Sequence, residues 1–213
     1  DLNGSICQTG TYTVTGASVQ NSTLFSWSVA GPATIQAGTE TTLSPVIIPT
    51  SGATGIVTVT LTATGTGICP VTVTDSITIQ INPVPTVTAG TDGFLCEGSG
   101  SYQLNGNVTN ATNYSWTTTG GGTIQLTANP LAPLYIPSVS DYNTSTGINV
   151  ITITLNATTS NGCSTATDSM QLTLYAKPKI SAGIDLVACE DNTSAILNGA
   201  SVLNYNSGYT ITW

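Results

Sequence analysis

Apolar and polar residues alternate with a period of two along several stretches of the chain. Ile56-Val57-Thr58-Val59-Thr60-Leu61-Thr62 sets branched apolar residues against threonine, and Ile77-Thr78-Ile79-Gln80-Ile81 and Val150-Ile151-Thr152-Ile153-Thr154-Leu155 do the same. Such alternation places one row of side chains in a core and the other in water, as in an antiparallel sheet. β-Branched residues suit a pleated surface, and no helical period competes with them. Gly, Asn and Pro separate the runs. Many short strands punctuated in this way predict an all-β chain built of two-sheet antiparallel sandwiches.

The same landmarks recur in one order, which makes the chain a tandem repeat. Cys7 to Trp27 and Cys96 to Trp116 both span 20 residues, and Cys189 to Trp213 spans 24. Leu104-Asn105-Gly106 returns as Leu197-Asn198-Gly199, with Val14-Thr15-Gly16 as a looser copy. Ala89-Gly90-Thr91-Asp92 returns as Ala182-Gly183-Ile184-Asp185, each four residues before a cysteine. Gly67-Ile68-Cys69 matches Asn161-Gly162-Cys163, and Asp75-Ser76 matches Asp168-Ser169. The expected domains are repeat 1 at residues 1–83, repeat 2 at 84–177 and the N-terminal part of an incomplete repeat 3 at 178–213. Each complete repeat has about 90 residues, and the third is expected to continue in a longer protein. Prolines mark the junctions at Asn82-Pro83-Val84-Pro85 and Ala176-Lys177-Pro178, where a fixed φ and a missing donor end a ladder.

Composition narrows the chemistry. Charged residues make up 6% of the 213, and ten acids against Lys177 and Lys179 give a formal charge of −8. Neutralising phosphates requires a basic surface, so nucleic acid is not an expected partner. Anionic membrane surfaces are disfavoured for the same reason, and no apolar run reaches the roughly 20 residues of a spanning helix. Histidine and arginine are absent. The chain therefore lacks the commonest general base and zinc ligand, and also the guanidinium fork that clamps carboxylates. The remaining acids are scattered, so no catalytic residues, no enzyme activity and no cofactor are expected.

Five cysteines, Cys7, Cys69, Cys96, Cys163 and Cys189, are read as disulfide formers, which implies an oxidising, extracellular compartment. Pairing within repeats would give Cys7–Cys69 and Cys96–Cys163. A rival scheme joins neighbours, Cys69–Cys96 and Cys163–Cys189. Trp27, Trp116 and Trp213 are expected to pack on sandwich cores and not to form sugar platforms. Asp92 and Asp185 are weak calcium candidates, because each junction supplies few of the six to eight oxygens calcium takes. Tyr142, in Asp141-Tyr142-Asn143, is the best candidate for an exposed aromatic in a ligand-binding loop.

The order Pro85, Ala89-Gly90-Thr91-Asp92, Cys96, Leu104-Asn105-Gly106, Tyr114-Ser115-Trp116, Asn161-Gly162-Cys163, Asp168-Ser169 resembles a known pattern. It is similar to the PKD-like and immunoglobulin-like repeats of giant secreted cell-surface adhesins of Bacteroidota. That resemblance implies tandem Ig-like or PKD-like sandwiches, export by type IX secretion, and a place in a gliding- or appendage-associated adhesin. The implied partners are neighbouring repeats of the same longer chain, secretion machinery and surface-attachment proteins. The role expected is a structural stalk, stacked as a semi-rigid rod. The alternative is a glycan- or protein-binding module acting through sandwich loops. Ser76 and Ser169, each in an Asp-Ser-apolar triplet, are similar to the O-glycosylation acceptors of the same bacteria.

Overall fold

The alternating runs form the long strands of two β-sandwiches in the computed structural model, which describes residues 4–22, 24–66, 71–187, 189–191, 194 and 196–203. In the first, β1 (Gly4–Cys7), β2 (Tyr12–Thr13), β3 (Leu24–Ala30) and β4 (Ala33–Ile35) precede β5 (Val46–Pro49), β6 (Gly55–Thr64) and β7 (Thr72–Asn82). One sheet has the order β1-β7-β6-β3 and the other β2-β5-β4. β6 and β7 form the antiparallel hairpin that alternation predicts, with Val57 opposite Ile79 and Val59 opposite Ile77. β1 instead runs parallel to β7, from Gly4 opposite Ile79 to Cys7 opposite Asn82.

Alternation decides which residues meet between the sheets. Ile6, Val57, Val59, Ile79 and Ile81 from one sheet pack with Ala33 and Ile47 from the other, joined by Val14. Each fully buried aliphatic side chain contributes roughly 1.5–3 kcal/mol. Threonines on the alternate positions remain half-buried or exposed, so the outer face is wetted by hydroxyls and needs little charge.

The second sandwich follows the same plan. Its strands are β8 (Thr86–Thr88), β9 (Gly93–Cys96), β10 (Tyr102–Gln103), β11 (Asn107–Thr109), β12 (Asn113–Thr118), β13 (Thr123–Gln125), β14 (Leu134–Ile136), β15 (Ile148–Thr158) and β16 (Thr165–Tyr175). The sheets are β12-β15-β16-β9 and β10-β14-β13, with β8 paired to β11. β9 repeats the parallel register of β1, with Gly93 opposite Leu172 and Cys96 opposite Tyr175. Both glycines of this edge sit under a tyrosine: a Cβ at Gly4 would lie 2.5 Å from the Tyr12 ring, and one at Gly93 would strike Tyr102. Beyond this sandwich, β17 (Lys179–Ser181) pairs antiparallel with β18 (Ser201–Leu203).

Two compact units result. The first holds residues 1–86, 109–113 and 157–166, and the second holds 87–108, 114–156 and 167–213. The turn between β15 and β16 is thus gathered into the first unit, although repeat counting places it in repeat 2. No helix among the described residues is long and apolar enough to cross a membrane.

Candidate functional site

The one covalent cross-link among the described residues is Cys7–Cys163, with Cα atoms 5.3 Å apart and a sequence separation of 156. This corrects the within-repeat pairing of Cys7 with Cys69 and of Cys96 with Cys163. The parallel edge strand is the reason. Cys96 stands opposite Tyr175, the last residue of β16, while Cys163 lies two residues before its first residue, Thr165. Eleven strand residues separate these ends by roughly 33 Å, whereas a disulfide needs Cα atoms within about 7 Å. Cys7 stands likewise opposite Asn82 at the end of β7. Cys69 lies outside the described residues. Cys96 and Cys189 are exposed thiols. The second repeat, in this register, cannot join Cys96 to Cys163.

The Ala-Gly-x-Asp and Asp-Ser motifs meet each other. The Ala89 amide donates to Asp168 Oδ2 at 2.8 Å, and the Gln171 amide donates to Asp92 Oδ1 at 2.7 Å. Each carboxylate therefore holds a backbone amide 79 residues away in sequence, fastening the β8–β9 loop to β16. Asp92, a calcium candidate by sequence, serves that joint. Asp185 is exposed. Among the described residues no group of three or more His, Cys, Asp or Glu side chains is placed to hold a metal ion.

Asp141 and Tyr135 form a site that sequence reasoning missed. Asp141 is 3% exposed and Tyr135 is fully buried. The Tyr135 hydroxyl donates to Asp141 Oδ2 at 2.8 Å, the Ser138 amide donates to the same oxygen at 2.8 Å, and the Gly121 amide donates to Oδ1 at 2.5 Å. The Gly122 amide in turn donates to the Tyr135 oxygen at 3.2 Å. Burial opposes charge on Asp141, but the hydrogen bonds from Tyr135, Ser138 and Gly121 prevail and hold its carboxyl below the ordinary value. Burial, then the bond to Asp141 and its charge, pushes the Tyr135 hydroxyl up to about 12. Every partner is internal, so the arrangement braces the fold and presents nothing to a substrate.

Tyr142, the loop aromatic, is half-buried and packs against the second core. Burial and the nearby charges of Glu97 and Asp141 raise its hydroxyl pKa. Trp27 and Trp116 pack against the two cores, and their indole N–H groups donate to the carbonyls of Thr42 (2.9 Å) and Pro130 (3.3 Å). Trp213 lies outside the described residues. Ser76 and Ser169 are exposed, and the Ser169 hydroxyl lies 2.9 Å from that of Thr154. In the first unit a cavity of about 210 Å³ opens beside Trp27, Asp75 and Ser76.

No protein-family model matches the chain, and no curated protein matches it in sequence. Solved structures are similar to it in outline. Mouse cadherin-23 repeats EC22–24 share 10% identity over 85% of this chain and 67% of that one, with a TM-score of 0.44. Drosophila N-cadherin EC1–4 shares 9% over 83% of this chain and 48% of that one, at 0.45. The insect immune protein hemolin shares 13% over 83% and 45%, at 0.43. The chain spans about half the length of the latter two. Likeness at this level carries no functional argument.

Proposed function

We propose that this chain is a structural segment of a large extracellular cell-surface adhesin or appendage, a stalk of cross-linked β-sandwich repeats. One observation carries the reading: Cys7 is bonded to Cys163, 156 positions along the chain, a pair that repeat counting assigns to the first repeat and the second. A disulfide of this span favours an oxidising, extracellular setting. Hydroxyl-rich outer faces, half-buried tryptophans packed against the cores and the internal use of Asp92, Asp141 and Asp168 leave the described surface without a convergent reactive cluster. The Bacteroidota origin and type IX export implied by the repeat pattern belong to this proposal as well.

Two measurements test it. Protease applied to intact cells of the producing organism should cleave the protein, as an external stalk requires; full protection would overturn the reading. The soluble chain should bind no glycan on an array. Specific binding lost in Tyr142→Ala would replace the stalk with a loop-based binding module. Exposed Ser76 and Ser169 also favour glycan attachment, which adds solubility to a surface with little charge. Intact mass from the producing organism should then carry sugar increments that vanish in a Ser76→Ala, Ser169→Ala variant, and an unmodified mass would remove the idea.

A further inference from the structure

Asparagine precedes glycine at Asn105-Gly106, Asn161-Gly162 and Asn198-Gly199, and a fourth pair, Asn3-Gly4, begins outside the described residues. In such a pair the glycine nitrogen can attack the asparagine side-chain carbon and close a cyclic imide. Glycine suits the step because no Cβ crowds its nitrogen. The reaction is helped by three things: a nitrogen that no acceptor holds, room around it, and a donor facing the side-chain oxygen that gains charge.

The turn between β15 and β16 supplies all three. Asn161 and Gly162 are exposed, and nothing lies within 4 Å of where a Gly162 Cβ would stand. The Gly162 amide has no acceptor among the described residues. The Cys163 amide donates to Asn161 Oδ1 at 3.1 Å. That donor is held in place: Cys163 is buried, bonded to Cys7, and its carbonyl accepts from the Thr159 hydroxyl at 3.1 Å. The other two pairs fall short. The Gly106 amide donates to the Leu131 carbonyl at 2.9 Å, and a Cβ there would lie 2.6 Å from the Trp116 ring. Asn198 and Gly199 are exposed, but no group among the described residues donates to the Asn198 side chain.

We propose that Asn161-Gly162 is a self-modification site, at which the folded chain converts its own asparagine to aspartate and isoaspartate. The Gly162 nitrogen loses its proton to solvent and bonds to Asn161 Cγ, which places negative charge on Oδ1 opposite the Cys163 amide. The Cγ–Nδ2 bond then breaks, Nδ2 takes a proton from solvent and leaves as ammonia, and the imide remains. Water opens the imide. Attack at Cγ gives aspartate, and attack at the main-chain carbonyl carbon of Asn161 leaves Gly162 attached through Cγ, as isoaspartate. No oxidant or reductant takes part. Each event adds one negative charge, and the isoaspartate product reroutes the main chain beside Cys163, so the turn that carries the disulfide loosens with age. The inference concerns this turn alone and stands independently of the stalk reading.

Peptide mapping by mass spectrometry of the full chain, incubated at mildly alkaline pH both folded and in denaturant, tests it. In the unfolded chain the three pairs should convert at similar rates, which makes each its own control. In the folded chain Asn105 should slow by about tenfold, because the bond from Gly106 to Leu131 must first break. Folded Asn161 should outpace folded Asn198 by about tenfold, the worth of a hydrogen bond to a charged group. Enzymatic methylation specific for isoaspartate should mark the Asn161 peptide, and Asn161→Gln should abolish that mark while leaving Asn198 as it was. Chain carrying isoaspartate at this position should lose the Cys7–Cys163 bond to a thiol reductant sooner than fresh chain, and equal loss would remove the loosening. A folded chain whose Asn161 stays intact, or converts no faster than its Asn198, would overturn the proposal.

Discussion

Ile47 and Tyr135 occupy the same place in the two sandwiches, and both are fully buried. Each sits on the middle strand of its three-stranded sheet and is followed two residues later by a proline, Pro49 or Pro137. Isoleucine completes its core by packing alone. Tyrosine brings a hydroxyl that must find a partner once buried, since an unmade hydrogen bond there costs about 1–3 kcal/mol. The second repeat supplies that partner in a longer connection. From Pro137 to Ile151 is 14 positions, against 8 from Pro49 to Val57, and the added length holds Asp141. One fold thus tolerates an apolar and a polar centre at the same site, provided the polar one arrives with its acceptor. The cysteines differ in parallel: Cys7 and Cys96 share a register, yet Cys7 is bonded and Cys96 is an exposed thiol.

The largest expected effect lies in the cross-link. Closing a loop of 156 residues removes denatured-state entropy worth about 5 kcal/mol in the chain-entropy model. Cys7→Ser should lower stability by roughly 2–5 kcal/mol, while Cys96→Ser should cost little. Non-reducing peptide mapping should recover a Cys7–Cys163 pair, and maleimide should label Cys96 in the folded chain. A recovered Cys96–Cys163 peptide would contradict the register of β9 with β16.

The next effect separates the two centres. Asp141→Ala leaves the Tyr135 hydroxyl and the Ser138 and Gly121 amides without their acceptor, and should destabilise the second sandwich by about 3 kcal/mol or more. Tyr135→Phe should cost less, about 1–2 kcal/mol, because two amides still satisfy the carboxylate. Denaturant unfolding followed by tryptophan emission reads both. Equal sensitivity of the two variants would show that the tyrosine, and not the amides, accounts for the network.

What could be read from the sequence divides along the same line as these residues. Local alternation identified the strands that became β6, β7 and β15, because a period of two records which face is buried. The connectivity of the cysteines was not legible. It depends on β1 and β9 running parallel to the last strand of their repeats, a pairing between chain ends that no local pattern encodes. Asp141 was hidden because Asp-Tyr-Asn looks like a polar turn. A signal was present: Tyr135 aligned with a core isoleucine and was followed by six extra residues. The Ala-Gly-x-Asp motif was visible as a repeat, but its purpose, holding the β8–β9 loop to β16, required the two aspartates to be seen against their amides.

The smallest expected effect is a pH dependence led by the polar centre, to which Tyr142, its hydroxyl also raised by burial, adds on the alkaline side. Burial opposes the charge on Asp141, but its hydrogen bonds hold the native carboxyl below the value of about 3.9 that an unfolded aspartate shows. The unfolded chain therefore takes up a proton that the native chain refuses. The contribution of Asp141 is whole above the unfolded value and is lost as pH falls through the native one. Tyr135 has the opposite sign. Its native hydroxyl is pushed up to about 12, against about 10 when unfolded, so its contribution is whole below pH 10 and is lost as pH rises toward 12. Stability measured against pH should fall at both extremes in the parent chain. In Tyr135→Phe the alkaline fall should shrink, while the acid fall keeps its sign because the Ser138 and Gly121 amides still favour the carboxylate. In a variant altered only at Ile47 both falls should persist, since that centre carries no titrating group. An alkaline fall of undiminished size in Tyr135→Phe would assign it to the other tyrosines and remove Tyr135 as its source.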